Sequence, residues 1–347
     1  MRRIAAIIVG LLVVLGMTAP AWACGGLVNP NGTVSLLRTS TFVGYVQGVE
    51  HYITSFEFTG GGGEFGSIIP LPGVPTSVER AGDWTLQRLV EEVTPAERLL
   101  LNADLSAADE SASAKVLLKT QIDALDITIL EGGGDAVGRW AKDHGFALTP
   151  DAPEILDFYA ARSPIFMAAR FDPEEAEDRG QSVGDGTPIH LTIPTPAPWV
   201  PLRILTLGVG DRSLVAADVF LLTEGVPEML PKPVIGTDEG MVLERSEQAS
   251  RALLSDLGSD KGMEWLPDDD MWFSYLRINT QAGALEHDLA IDASGFGRPS
   301  AVAAGLAGVT PPVEFPDAES SAAYPWLIAG LAGAGALVWL RRRTWFA

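Results

Sequence analysis

The chain has 347 residues, with 24 Lys and Arg against 45 Asp and Glu and a formal net charge of −21. That acidity excludes a broad basic face for nucleic acid, because phosphates would be repelled. At 47% hydrophobic and 20% charged the sequence can build a core, which excludes global disorder.

Residues 1–23 read as a secretory signal. Arg2 and Arg3 give a positive start, Ala5 to Met17 is apolar, and Ala21-Trp22-Ala23 is an A-x-A cleavage site. The apolar run is shorter than the roughly 20 residues a membrane span needs. Cleavage would leave Cys24 first in the mature chain. It is the only cysteine, so no intramolecular disulfide can form. Lipidation, a free or capped thiol and an intermolecular disulfide are three open readings of it.

Val49 to Phe58 is rich in β-branched and aromatic residues and reads as a strand. With the glycine turn Thr59 to Gly63 and a return strand Phe65 to Leu71 it predicts a β-hairpin. Asp83 to Glu92 has helical spacing, and Thr94-Pro95-Ala96-Glu97 is a capping box that predicts a second helix. Leu105 to Ala114 is polar and small, a loop. Val116 to Leu130 returns to strand character, and Asp135 is expected to cap a helix through His144. A further helix is predicted over Ala152 to Ala161 and a strand over Ile165 to Phe171. An acidic loop follows at Asp172 to Gly186. Strands are predicted at Pro188 to Ile193, Leu202 to Leu207, Leu214 to Leu222 and Met271 to Thr280, with a helix at Ser246 to Leu257. Ala293 to Ser321 is small, Gly/Pro-rich and aperiodic, and reads as a stalk.

Ala322 to Leu340 carries no charge over 19 residues, enough for a helix of about 28 Å. Tyr324, Trp326 and Trp339 mark its interfaces, and Arg341-Arg342-Arg343 follow at once, which keeps residues 341–347 cytoplasmic. Both ends therefore predict one topology, with the acidic bulk outside. Within the span, Ala329/Gly333 and Gly330/Ala334 have the small-xxx-small spacing through which a protein partner or a second copy could pack.

Several segments in this order resemble a known family. They are Cys24-Gly25-Gly26, then Glu57 to Gly60 with Glu64 to Pro72, then Ile127 to Leu130 followed by Ala136-Val137-Gly138-Arg139-Trp140 and Gly145-Phe146. Tyr159, Phe166 to Arg170, Pro188 to Leu191 and Pro201 to Ile204 complete the set. Over roughly residues 24–225 the chain is similar to the uncharacterised bacterial family named domain of unknown function 2330. These motifs are turns, strand ends and a packing face. The resemblance implies no activity, cofactor or site residue.

Chemistry is sparse in the sequence. Gly61-x-Gly63-x-x-Gly66 matches a dinucleotide fingerprint in letters only, because strand and proline follow instead of a helix. The histidines are His51, His144, His190 and His287, without HExxH or paired spacing, so capping or surface roles are expected. Asp268-Asp269-Asp270 and Asp172 to Asp178 read as solvated acidic turns. Asp256 to Gly262 fails the EF-hand pattern, its Gly falling seventh and Pro267 standing twelfth. No metal, cofactor or catalytic residue is predicted.

The expected fold class is α+β: a mainly antiparallel β-sheet ectodomain with several peripheral helices, plus one C-terminal transmembrane helix. The expected domains are 1–23 signal, 24–225 family-like ectodomain, 226–292 continuation or small subdomain, 293–321 stalk, 322–340 span and 341–347 tail. The functional expectation is a membrane-anchored, surface-displayed binding or envelope-organising module rather than an enzyme. Such a module should carry an exposed apolar patch. An anchored envelope hydrolase is one alternative and should show a pocket with a His or two carboxylates. An accessory subunit of a membrane complex is the other.

Overall fold

The computed structural model describes residues 27–28, 34–60, 65–94, 115–178, 186–293 and 297–308. The expected signal, Cys24, Gly61 and Gly63, the helix expected after Thr94, the polar stretch 105–114 and the apolar run 322–340 lie outside them. Among the described residues no helix is long and apolar enough to cross a membrane.

The strands in chain order are β1 (Leu27–Val28), β2 (Val34–Val46), β3 (Val49–Gly60), β4 (Phe65–Leu71), β5 (Ser77–Arg80), β6 (Lys115–Ile122), β7 (Leu125–Glu131) and β8 (Ile165–Phe171). They continue as β9 (Ile189–Pro194), β10 (Trp199–Val200), β11 (Leu214–Thr223), β12 (Glu228–Leu230), β13 (Gly240–Gln248), β14 (Trp272–Gln281) and β15 (Leu289–Asp292). The helices are α1 (Thr85–Val93), α2 (Gly134–Asp143), α3 (Ala152–Ala160), α4 (Pro173–Asp178) and α5 (Arg251–Gly258). This is a mixed α+β fold, mostly antiparallel, with few helices.

Three sheets organise it. One has seven strands in the order β13-β14-β11-β2-β3-β9-β5, a second five in the order β1-β4-β8-β7-β6, and a third is β10-β15-β12. Within these sheets the strand ladders are antiparallel except β2 beside β11. The central strands of the seven-stranded sheet are buried on both faces. Its Val43, Tyr52 and Leu221 share one continuous apolar cluster with Ile69, Ile129 and Met167 of the five-stranded sheet and with Trp140, Leu156 and Tyr159 on and around α2 and α3. Its Phe42, Ile53, Phe220 and Phe273 form a second cluster with Leu89 of α1, Leu253 and Leu257 of α5, and Met263 and Leu266 of the loop after it. Alternation along each strand thus delivers apolar side chains to two cores at once.

Several sequence expectations change here. The segment 49–71 does form two strands, but they do not pair with each other. β3 pairs with β2 and β9, whereas β4 pairs with β1 and β8 in the other sheet. The hairpin is β2–β3, closed by Gln47 and Gly48 with φ of 50° and 82°, the twist-matching turn geometry for two-residue hairpins. Val116 to Leu130 has the expected strand character and forms the β6–β7 hairpin, turning at Asp123. The helix expected from Ser246 begins only at Arg251. Ser246 still pairs with Ser274, and Ser250 is the N-cap, its hydroxyl accepting the Leu253 N–H at 3.1 Å. Gly133, not Asp135, is the N-cap of α2.

Leu202 to Leu207 is not a strand; Arg203–Thr206 forms a 3-10 turn. The cause is a buried carboxylate. Asp288 Oδ1 accepts the Leu202 and Arg203 N–H groups at 2.7 and 2.9 Å, and the Tyr159 hydroxyl accepts that of Ile204 at 2.7 Å. Backbone donors taken by side chains cannot also join a ladder. The segment expected to be stalk begins inside the domain: Ala293, Ala303 and Ala304 are buried, and Ala304 O accepts the Asp288 N–H at 3.1 Å.

Gly66 on β4 faces Phe146, where a Cβ would lie 1.5 Å from the ring. Gly66→Ala is therefore expected to destabilise the fold by about 1–3 kcal/mol through overpacking. Urea denaturation checks it, and an unchanged midpoint would show that the ring moves aside freely.

Candidate functional site

Because both faces of β3 are buried, its successive residues Glu50 and His51 are sealed in opposite cores. His51 meets His190 of β9, its Nδ1 lying 3.1 Å from His190 Nε2. Only 8% of His51 and 5% of His190 is exposed. The ring centroids are 5.3 Å apart, close to the most that a 3.1 Å N···N contact permits. The two nitrogens therefore meet head-on, one donating and the other accepting. A metal bound by both would sit to one side and draw the rings closer. Among the described residues no three His, Cys, Asp or Glu side chains gather to hold a metal ion.

Trp265 closes the site. Its ring lies flat on His51 at 3.8 Å and 6°, and it also stacks on Phe42 at 6.2 Å. Gly44, opposite His51 in the β2–β3 register, makes room: a Cβ there would be 2.0 Å from the indole. Burial pushes the His51 pKa down to about 3, and the neighbouring His190 adds to the effect. Burial pushes His190 down to about 4 against an upward pull from Glu264. Both rings are neutral at pH 7.

Glu50 is fully buried, and neither carboxyl oxygen has a hydrogen-bond partner. Burial raises its pKa to about 8; the nearby Trp199 amide pulls the other way. A carboxyl so placed is a neutral acid at pH 7. Close by in the same core, a cavity of about 20 Å³ between the sheets is lined by Thr39, Thr41 and Tyr52 among apolar residues. That is room for about one water molecule.

Other polar constellations serve the fold. Asp288 takes Tyr159 OH at 2.7 Å and Arg162 Nη2 at 2.6 Å besides the two backbone donors, and Arg162 lies 4.0 Å over the Phe158 ring. Asp260, inside the rejected EF-hand pattern, instead anchors the start of α1: its Oδ2 accepts from Trp84 N, Thr85 N and Thr85 Oγ1 at 3.2, 2.8 and 2.7 Å. His144 Nδ1 meets the Trp140 carbonyl at 2.8 Å at the end of α2, the capping role its position suggests. Asp269 lies 3.6 Å from Arg251. An open cleft of about 400 Å³ is edged by Asp151, Glu154, Arg203, Asp211 and Glu286. Two of its acids are already engaged, Asp151 with Gly208 N at 2.8 Å and Glu154 with Arg203 at 2.6 Å.

The sequence expectation placed His51 and His190 on strands, which holds, but their meeting is visible only once β3 and β9 are known to be neighbours. Glu50 was missed altogether. Its one signal is a charged residue inside an apolar strand whose both faces are covered.

A family described as an uncharacterized protein conserved in bacteria (DUF2330) matches residues 18–223, more than half of the chain, and the protein belongs to it. The matched region contains Glu50, His51 and His190 but ends before Trp265 and Asp288. No curated protein matches. Two solved structures are distantly similar. A mutated baculovirus P35 after caspase cleavage shares 10% identity at a TM-score of 0.39, covering 74% of this chain and 99% of that one. Baculovirus P35 itself gives the same identity and score over 75% and 97%.

The raised pKa of Glu50 means that between pH 4.5 and about 8 the native state holds a proton the unfolded chain has lost. Stability therefore falls as pH rises through that window, by roughly 3 kcal/mol up to pH 7. Glu50→Gln removes the ionisation and is expected to flatten this fall, gaining most at pH 8 and least at pH 4.5. Denaturant titrations at both values check it; equal effects at the two would mean that Glu50 is ionised in the native state.

Proposed function

We propose that the protein is an exported, membrane-tethered binding module of the bacterial envelope. The observation that carries this reading is the uncharged run Ala322 to Leu340 followed directly by Arg341-Arg342-Arg343, opposite in sense to the signal-like start at Arg2 and Arg3. The acidic composition agrees: five of the 24 basic residues lie in these two ends, so the exported part is more negative than the whole.

The segment joining β12 to β13, with the turn before β12, offers the contact surface. Val226, Val234 and Ile235 are 52%, 45% and 76% exposed, on a segment stiffened by Pro227, Pro231 and Pro233. Large apolar side chains at such exposure are held out where a partner can cover them. Val234 is fixed in place by bonds from its N–H to Met241 O and from Leu243 N to its own carbonyl, at 2.9 and 2.8 Å. The binding reading is favoured over the hydrolase because the histidines and the carboxyl with displaced pKa values are closed inside the cores, away from the open cleft.

Membranes from cells making the full chain test the topology. The protein should stay with the lipid through alkaline carbonate, and protease added to intact cells stripped of any outer layer should destroy the bulk of it. Release by carbonate, or full protection from protease, would refute the reading.

A further inference from the structure

The histidine pair does something the tethered-module reading does not require. We propose that the His51–His190 hydrogen bond is an acid-released latch that holds the loop of residues 258–266 down on the seven-stranded sheet.

The loop touches the sheet through the pair. Trp265 covers His51, and the turn at Gly262, with φ of 84°, passes His190 so closely that a Cβ there would be 3.6 Å from its Nδ1. The same loop carries Met263 and Leu266 into the second core and grips the start of α1 through Asp260 and through Lys261 O, which accepts the Gly82 N–H at 3.1 Å. A first proton settles on an outer ring nitrogen and keeps the N–H···N bond; a second turns the accepting nitrogen into a donor as well. Two N–H groups, each on a charged ring, would then face each other head-on at 3.1 Å under a flat indole.

The charged groups around the pair do not rescue that state. Glu79 of β5 is the cross-strand partner of His190, Glu264 and Lys261 are on the loop, and all three are exposed and screened by solvent. Asp260 is committed to α1. Lifting the loop hydrates both rings and restores their ordinary basicity, so below about pH 6.5 the opening equilibrium should grow as pH falls, by up to roughly a hundredfold per pH unit for two protons taken up. What opening uncovers is apolar: Trp265, Met263 and Leu266 on the loop, Phe42 and Ile53 beneath it. The latch thus couples acidification of the surroundings to exposure of a hydrophobic face. This inference does not depend on the membrane anchor.

Hydrogen exchange on the full chain in detergent micelles, corrected for intrinsic rates, tests it between pH 7 and pH 5. Amides of residues 258–266 should lose protection by at least about tenfold, while those of β2 and β3 hold theirs. His190→Gln leaves one titrating ring beside an amide that bonds it in either protonation state, so its loop protection should fall less steeply with pH than the wild type's, at most about tenfold per pH unit. Ring resonances of the wild-type histidines supply a reading that needs no variant: His51 and His190 should titrate only in step with the loss of loop protection. Flat protection in the wild type, a decline just as steep in His190→Gln, or rings titrating near pH 6.5 under a protected loop would each overturn the latch.

Discussion

A β-strand that is covered on both faces has no wet side on which to put a charge. That constraint governs β3, and through it the chemistry of the whole domain. Glu50 and His51 follow one another on that strand, so the period of two sends one into each core. Neither has an ionised partner beside it, and each therefore resolves its burial by staying neutral, the acid protonated and the imidazole deprotonated. The two choices pull stability in opposite directions with pH. The histidines make the fold weaken as pH drops below 6.5, and the carboxyl makes it weaken as pH climbs above 4.5. Between those values both penalties act at once and trade off against each other.

Asp288 shows the other way to bury a charge. Its desolvation also pushes its pKa up, yet Arg162, the Tyr159 hydroxyl and two backbone N–H groups surround it and oppose that push. A carboxylate so fully engaged organises its neighbours: it joins the end of α3, the 3-10 turn, β15 and the segment around Ala304 into one assembly. Removing one partner would leave a buried charge uncompensated, typically at about 3–5 kcal/mol. Glu50 has no such retinue and holds its proton instead.

Local elements were legible in the sequence and long-range pairings were not. Ile165 to Phe171 and the helices near Thr85, Gly134 and Ala152 follow from apolar spacing over a few residues, which is what periodicity reports. The hairpin assigned to 49–71 failed because adjacency in sequence was read as adjacency in space, and β3 and β4 were sent to different sheets by partners more than 90 residues away. The turn at Arg203–Thr206 failed because Asp288, far downstream, captures its backbone donors. The histidine pair failed for the same reason, since 139 residues separate its members. Strands β12 to β15 lie beyond the matched family region, yet β13 and β14 extend the same seven-stranded sheet and the loop before β14 supplies Trp265.

The central claim is that the double burial of β3 keeps its polar residues uncharged, and the side-chain carboxyl resonance of Glu50 in protein carrying ¹³C-labelled glutamate reports on that directly. The account predicts a single glutamate carbon that holds its protonated shift past pH 7 and moves only near pH 8. If every glutamate carboxyl has titrated by pH 6, the strand is wetter than described here and the account is wrong.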